Sequence, residues 1–267
     1  MPAPKNHFKA ALREGRFQLG MWVALGSAYA AEIAAGSGYD WLLIDGEHGP
    51  NDVPLIGAQL GALRGSVSHP IVRPPMGEAW LLKQLLDLGA QTFLIPMVET
   101  VEQARALVRA VRYPPAGIRG VGAALGRATN FNRIPDYLET ADDEICLLLQ
   151  IESRAGLAAL DEIAAVEGVD GIFIGPSDLA ADMGYLGRPS AGPVREAISD
   201  AFARTHAHGK ARGIMTLALD QAHEYRAMGA DFMAIGTDVT SLSAALDGLR
   251  RDFLGEAPSS NKRGGGY

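Results

Sequence analysis

The sequence predicts an α/β protein, a single-domain (β/α)8 barrel, and three observations predict it. One local pattern recurs: Gly38-Tyr39-Asp40 leads to Ile44, Gly89-Ala90-Gln91 to Ile95, Gly168-Val169-Asp170 to Ile174, and Gly229-Ala230-Asp231 to Ile235. Each glycine closes a helical pattern as a left-handed cap, and an apolar strand ends six residues later. The strands WLLI, FLIP, LLLQI and IFI are apolar almost throughout, as in a parallel sheet covered on both faces. Eight such strands alternate with helical patterns, and eight βα units close naturally into a barrel. The alternative is an open doubly wound sheet. The repeat count favours the barrel, and no dinucleotide fingerprint follows the first strand.

Taken in order, strands are expected over residues 19–24, 41–45, 70–73, 92–96, 145–151, 171–175, 213–217 and 232–236. Pro74 and Pro75 stop the third. Helical patterns separate them, for example over 78–88, 101–111 and 220–228, so the chain repeats one helix-to-strand block. The longest irregular stretch, 113–143, carries Gly117, Gly120, Gly122 and Gly126. It is not a GxGxxG motif and no strand immediately precedes it, so it reads as a lid or subunit contact near the active face. The barrel domain is expected over residues 1–256. Residues 257–267, APSSNKRGGGY, are low-complexity and expected to be disordered.

Composition excludes several classes. The chain has 267 residues, 48% of them hydrophobic, enough for a large core. A net charge of −7 argues against a nucleic-acid surface. No apolar run approaches the ~20 residues of a membrane helix, and the polar start MPAPKNHFKAALREG lacks a signal-peptide core. Cys146 is the only cysteine, so no intrachain disulfide can form and a cytoplasmic location is expected. Its apolar neighbours make it a buried small residue rather than a nucleophile.

In barrels, catalytic groups sit at the carboxyl ends of the strands. Those positions hold Trp22, Asp45 with Glu47 and His48, Arg73, Gln150 with Glu152, Ser177 with Asp178, and Leu217. Glu152 and Asp178 end successive strands, which lie ~4.8 Å apart in a parallel pair. Two carboxylates there suggest an oxygen-liganded divalent cation, with Mg2+, Mn2+ and Co2+ all compatible. The competing reading of Asp178 is a helix N-cap. His48, in the glycine-rich IDGEHG loop, suits general acid/base work, with Asp45 and Glu47 orienting it or belonging to a water network. Arg73 can hold a carboxylate or stabilise an oxyanion. The five lysines, Lys5, Lys9, Lys83, Lys210 and Lys262, lie in a helix, at the inert end or in the terminal segments, so no Schiff base is expected. If the substrate is a carbonyl compound, the cation is the expected electrophile.

The segments WLLIDGEHGPND, VRPP, QLLDLGAQTFLIPMV, RYPPAGIRGVG, LLLQIES and GVDGIFIGPSDLAADMG resemble the HpcH/HpaI aldolases, metal-dependent pyruvate-specific class II aldolases, over about residues 7 to 254. The resemblance implies cleavage of 4-hydroxy-2-oxo acids, of the 4-hydroxy-2-oxoheptanedioate type found in aromatic-acid catabolism, to pyruvate and an aldehyde such as succinic semialdehyde. Family members acting on 2-keto-3-deoxy sugar acids look similar. The resemblance further implies Glu152 and Asp178 as metal ligands and pyruvate chelating through its carboxylate and 2-oxo oxygens. It implies Ser177 and Asp178 amides on that carboxylate, Arg73 on the enolate oxygen and His48 as acid/base. Asp87 looks like a carboxylate lent to that histidine by a neighbouring subunit. Gln150, Trp22 and Leu217 match pocket-lining positions. A homohexamer, with the last helix packing on a partner, is implied too. Two rival readings stand beside this one: a citrate-lyase-like enzyme acting on acyl-CoA thioesters, and a non-catalytic metabolite-binding barrel.

Overall fold

An apolar strand has two faces to bury, and closure of the sheet with helices outside buries both. The computed structural model describes residues 1–256, so the expected tail lies outside the described residues. Eight strands close into one barrel in chain order: β1 (Gln18–Val23), β2 (Trp41–Asp45), β3 (His69–Arg73), β4 (Thr92–Ile95), β5 (Cys146–Ile151), β6 (Gly171–Ile174), β7 (Ala211–Met215) and β8 (Phe232–Thr237). Every pairing is parallel, including β1 with β8. The molecule is a single-domain (β/α)8 barrel, as the repeat predicts. Gly38, Gly89, Gly168 and Gly229 all have positive φ, from 81° to 101°, and turn each helix into the next strand.

Helix starts follow local chemistry. Ser27, Asp52, Ser153 and Thr237 each cap a helix with a side-chain oxygen. Thr100 and Gln103 form a reciprocal capping box before Val101–Ala110. The core has two layers. An outer one packs strands against helices, and an inner one fills the barrel with Trp22, Trp41, Phe173 and Phe232 among others. Gly20 and Gly213 make room for two of these rings: a Cβ at Gly20 would overlap the Trp41 indole, and one at Gly213 the Phe232 ring. Cys146 belongs to this inner layer, and burial pushes its thiol well above its usual range, as expected of a small packing residue.

Three features depart from, or go beyond, the sequence reading. Strand β7 begins at Ala211, two residues before the expected start. Arg212 there is polar but neutralised by Asp231 at 2.8 Å, so it pairs in the sheet. A short amino-terminal helix, His7–Arg13, plugs the barrel floor. Its Phe8 is buried edge-on to Trp41 and Phe232, with ring centroids 6.1 and 5.7 Å away. The stretch 113–143 is not at the active face. It joins helix Val101–Ala110 to β5, and such connections fall at the amino ends of the strands. Its contacts agree: Arg127 donates to the Leu88 and Leu60 carbonyls, and Asp136 pairs with the Met1 amine. Among the described residues no helix is long and apolar enough to cross a membrane.

Candidate active site

Register places the first pair of functional groups. Asp45 and Arg73 are direct partners across β2 and β3, at the carboxyl mouth. Arg73 donates from Nε and Nη2 to the two Asp45 oxygens at 2.9 and 2.7 Å, and Nη1 lies 2.8 Å from Glu47 Oε2. Its guanidinium carbon sits 5.4 Å from the Trp22 ring centroid. Asp45 also accepts the Glu47 and His48 backbone N–H groups, at 3.0 and 3.4 Å, so one carboxylate fixes both the arginine and the loop carrying the histidine.

Strands β5 and β6 supply the second group. Their register sets Ile151 against Ile174, so Glu152 and the Gly175-Pro176-Ser177-Asp178 turn emerge side by side. Glu152 is buried. Its Oε1 accepts the Met97 N–H at 2.9 Å and its Oε2 accepts a short hydrogen bond from Gln150 Nε2. Met97 holds a left-handed backbone, φ 55°, which aims that N–H at the carboxylate. Gly175 is required here, since a Cβ would stand 2.9 Å from Glu152 Cβ and nearer still to Oε2. Burial pushes the Glu152 carboxyl up to about 7. The bonds from Gln150 and Met97 oppose that rise, and the charges of Glu47 and Asp178 add to it. Glu47 is raised as well, first by burial, with Arg73 opposing and Asp45 and Asp178 adding. Asp178 lies in the first turn of helix Pro176–Asp182. The cap there is Gly175, with no side-chain cap bond, so the N-cap reading of Asp178 is not realised.

These groups meet in one cleft, lined by Trp22, Arg73, Gln150, Glu152, Phe173, Gly175, Pro176, Ser177, Asp178 and Met215. Three of its buried polar atoms, Trp22 Nε1, Gln150 Oε1 and Ser177 Oγ, have no hydrogen-bond partner. Orphaned polar atoms converging on one cleft call for a small polar ligand. The donor set fits a hard divalent cation: mutually repelling carboxylates face each other, one held neutral-leaning by burial, and a cation would relieve both costs. Among the described residues no cluster of three or more His, Cys, Asp or Glu is arranged to enclose a metal. Two protein carboxylates would therefore leave positions for water and substrate oxygens.

Of the residues expected at the site, the cleft brings together Trp22, Arg73, Gln150, Glu152, Ser177 and Asp178, with Asp45 behind Arg73. His48 stands at the rim with its side chain 53% exposed, and Nε2 lies 3.9 Å from Glu47 Oε2. Leu217 follows β7 and packs on the inner core, while Met215 takes the lining position. Asp87 ends helix Ala79–Asp87, which runs back down the barrel, so within one chain it lies away from this mouth. Sequence reasoning missed Met97, Phe173, Gly175 and Met215. Gly175 carried a signal, a glycine between an apolar strand and a Pro-Ser-Asp turn. Met97 carried none, because nothing in its residue type announces positive φ.

A (β/α)8 barrel with carboxylates, an arginine and a histidine at its carboxyl mouth, and no lysine there among the described residues, defines a class of lyase that handles carbonyl acids without a Schiff base. The sequence profile of the HpcH/HpaI aldolase/citrate lyase family matches residues 18–245, and the chain belongs to that family. It is 61% identical over 245 residues to a hydroxypyruvate/pyruvate aldolase of Roseovarius nubinhibens, covering 91% of this chain and 95% of that one. It is 51% identical over 253 residues to a 4-hydroxy-2-oxo-heptane-1,7-dioate aldolase of Escherichia coli, covering 95% and 97%. A crystal structure of an HpcH/HpaI aldolase/citrate lyase family protein from Burkholderia cenocepacia superposes with a TM-score of 0.91 at 38% identity, covering 94% of this chain and all of that one. The chain is thus an enzyme, a pyruvate-type aldolase and a carbon–carbon lyase. That sets aside the non-catalytic reading.

Proposed function

We propose that this aldolase catalyses reversible, divalent-metal-dependent aldol cleavage and addition, with the enolate of pyruvate or hydroxypyruvate as nucleophile and an aldehyde as electrophile. Cleavage of 4-hydroxy-2-oxoheptanedioate to pyruvate and succinic semialdehyde belongs to the same reading. The named relatives share the three-carbon 2-oxo acid half and differ in the aldehyde. The observation that carries the proposal is the cleft itself, where Glu152, Asp178 and Arg73 converge with three unpartnered polar atoms.

Glu152 and Asp178 would hold the cation, which when bound supplies Lewis-acid polarisation of the donor's 2-oxo group; Mg2+, Mn2+ and Co2+ all suit two carboxylates. The remaining work falls to side chains. In cleavage the C3–C4 bond breaks, its electron pair passes onto the 2-oxo oxygen as an enolate, and the C4 hydroxyl proton leaves for His48. Arg73, locked by Asp45 and Glu47, presents a positive charge that need not reorganise as the enolate oxygen gains its charge. Ser177 Oγ, Trp22 Nε1 and the Ser177 and Asp178 backbone amides suit the donor carboxylate, and Gln150 orients Glu152. Return of a proton to C3 yields pyruvate.

The same reading includes a homo-oligomer, a hexamer. Asp87 would serve His48 of a neighbouring copy, because its own mouth is at the far end of the barrel. Helix Asp238–Leu254 supports assembly: Leu242, Leu246, Leu249 and Phe253 repeat at coiled-coil spacing and are 49–88% exposed.

Pyruvate methyl-proton exchange in D2O, followed by NMR on enzyme stripped of metal and then resupplied with Mg2+, Mn2+ or Co2+, tests the core of the proposal. Exchange that returns only with metal supports it. No exchange from folded, metal-replete protein would refute it.

A further inference from the structure

We propose that Arg119 is a positioning residue for catalysis, holding Asp87 in the direction in which it meets His48 of a neighbouring copy. The inference rests on the role given to Asp87 above. Arg119 comes from RYPPAGIRGVG, the segment in the long connection that the active cleft does not use. Its side chain is completely buried, yet Nε and Nη1 have no hydrogen-bond partner. A guanidinium left so poorly satisfied costs stability, so packing alone is a weak reason for an arginine here.

The charge is held by its surroundings. The guanidinium carbon lies 4.3 Å from the Tyr113 ring centroid and 5.8 Å from that of Tyr137. Nη2 donates to the Tyr137 hydroxyl at 3.3 Å and lies 3.5 Å from Asp87 Oδ1. Tyr113 is tied down in turn, its N–H donating to the Asp142 carboxylate at 3.0 Å. Arg112 and Asp143 also bear on Asp142. Lys83 packs its stem under Gly120, and Arg127 holds the Leu88 carbonyl beside Asp87 at 2.9 Å.

The other Asp87 oxygen is kept clear. A Cβ at Gly122 would stand 3.1 Å from Oδ2, and one at Gly126 would stand 3.2 Å from the Asp87 carbonyl oxygen. The Asp87 side chain is 29% exposed. Arg119 thus faces one carboxylate oxygen from a rigid aromatic box, while glycines leave the other open to an outside donor. That is the geometry of an aspartate that orients a histidine of another chain, as in a His–Asp dyad.

The test is the pH profile of kcat/KM for cleavage of a 4-hydroxy-2-oxo acid by the metal-loaded enzyme. The variants are Asp87→Asn, Arg119→Gln, Arg119→Lys and the Asp87→Asn/Arg119→Gln double. Losing or misplacing the aspartate moves the acidic limb of that profile to lower pH, because a carboxylate beside an acid/base group favours its protonated form. Arg119→Gln is expected to move it in the same direction as Asp87→Asn, by about half a pH unit or more, with kcat down roughly tenfold. Arg119→Lys should restore much of both, and the double variant should go no further than Asp87→Asn. If Arg119→Gln does not fold, Tyr137→Phe decides in its place. It removes the hydroxyl that anchors Nη2 and should move the limb the same way by less. A limb that moves in Asp87→Asn but stays put in the Arg119 and Tyr137 variants, or shifts that add in the double, would overturn the role of Arg119 alone. An unmoved limb in Asp87→Asn would overturn the Asp87 reading and this inference with it.

Discussion

Arg73 and Glu152 carry opposite solutions to the same problem of burying a charge. Arg73 is compensated within the protein, by Asp45 at 2.7 Å and Glu47 at 2.8 Å. Arg73→Ala should lower kcat by at least ~10²-fold, read directly in steady-state cleavage assays. Near-wild-type turnover would remove its oxyanion role. Glu152 is met by hydrogen bonds from Gln150 and Met97, which do not offset its burial, and its carboxyl rises to about 7. As a proposed metal ligand, Glu152 would have to lose that proton for metal to bind below that pH. Titration of Mn2+ into metal-free enzyme, followed by EPR, should show the apparent Kd weakening about tenfold per unit below pH 7 and levelling above it. An affinity flat from pH 5.5 to 8 would contradict this.

Among the elements, the amino-terminal helix contributes more than its length suggests. Phe8 closes the barrel floor against Trp41, Phe232 and the His69 ring, the last stacked at 5.9 Å. Phe8→Ala should cost about 3–5 kcal/mol in denaturant unfolding. His69 bonds Thr92 Oγ1 at 2.8 Å, and burial, then the charge of His7, pulls its pKa down to about 3. The folded state therefore binds this proton less readily than the unfolded chain does, with its ordinary value near 6.5. Its contribution to stability is present above pH 6.5 and is lost as pH falls from there toward 3. His69→Gln should flatten the acid side of a Tm-against-pH curve between pH 6.5 and 4, and an unchanged slope would exclude His69 as its source.

For the whole molecule the proposed assembly rests on the exposed helix Asp238–Leu254. Leu246 and Leu249 are 59% and 72% exposed, a large apolar surface to leave in water. Leu246→Glu with Leu249→Glu should leave the barrel folded by circular dichroism and reduce its mass in sedimentation. If Asp87 works across subunits, kcat should fall with the mass. Smaller particles with full activity would detach Asp87 from catalysis.

The alternation of apolar strands with glycine-closed helices was readable from the chain, because both signals lie within a few residues of each other. So were Trp22, Asp45, His48, Arg73, Gln150, Glu152, Ser177 and Asp178, since a strand's carboxyl end is a sequence position and the fold class says which end reacts. Tertiary structure decided what depends on register and closure. It paired Arg73 with Asp45 and Glu47, buried Glu152 behind Gly175, and put Phe8 under the barrel. It also set the 113–143 connection at the amino face, where Arg119 meets Asp87 across 32 positions of chain. Those contacts join residues far apart in sequence, and local periodicity carries no information about which distant side chains share one low-dielectric space.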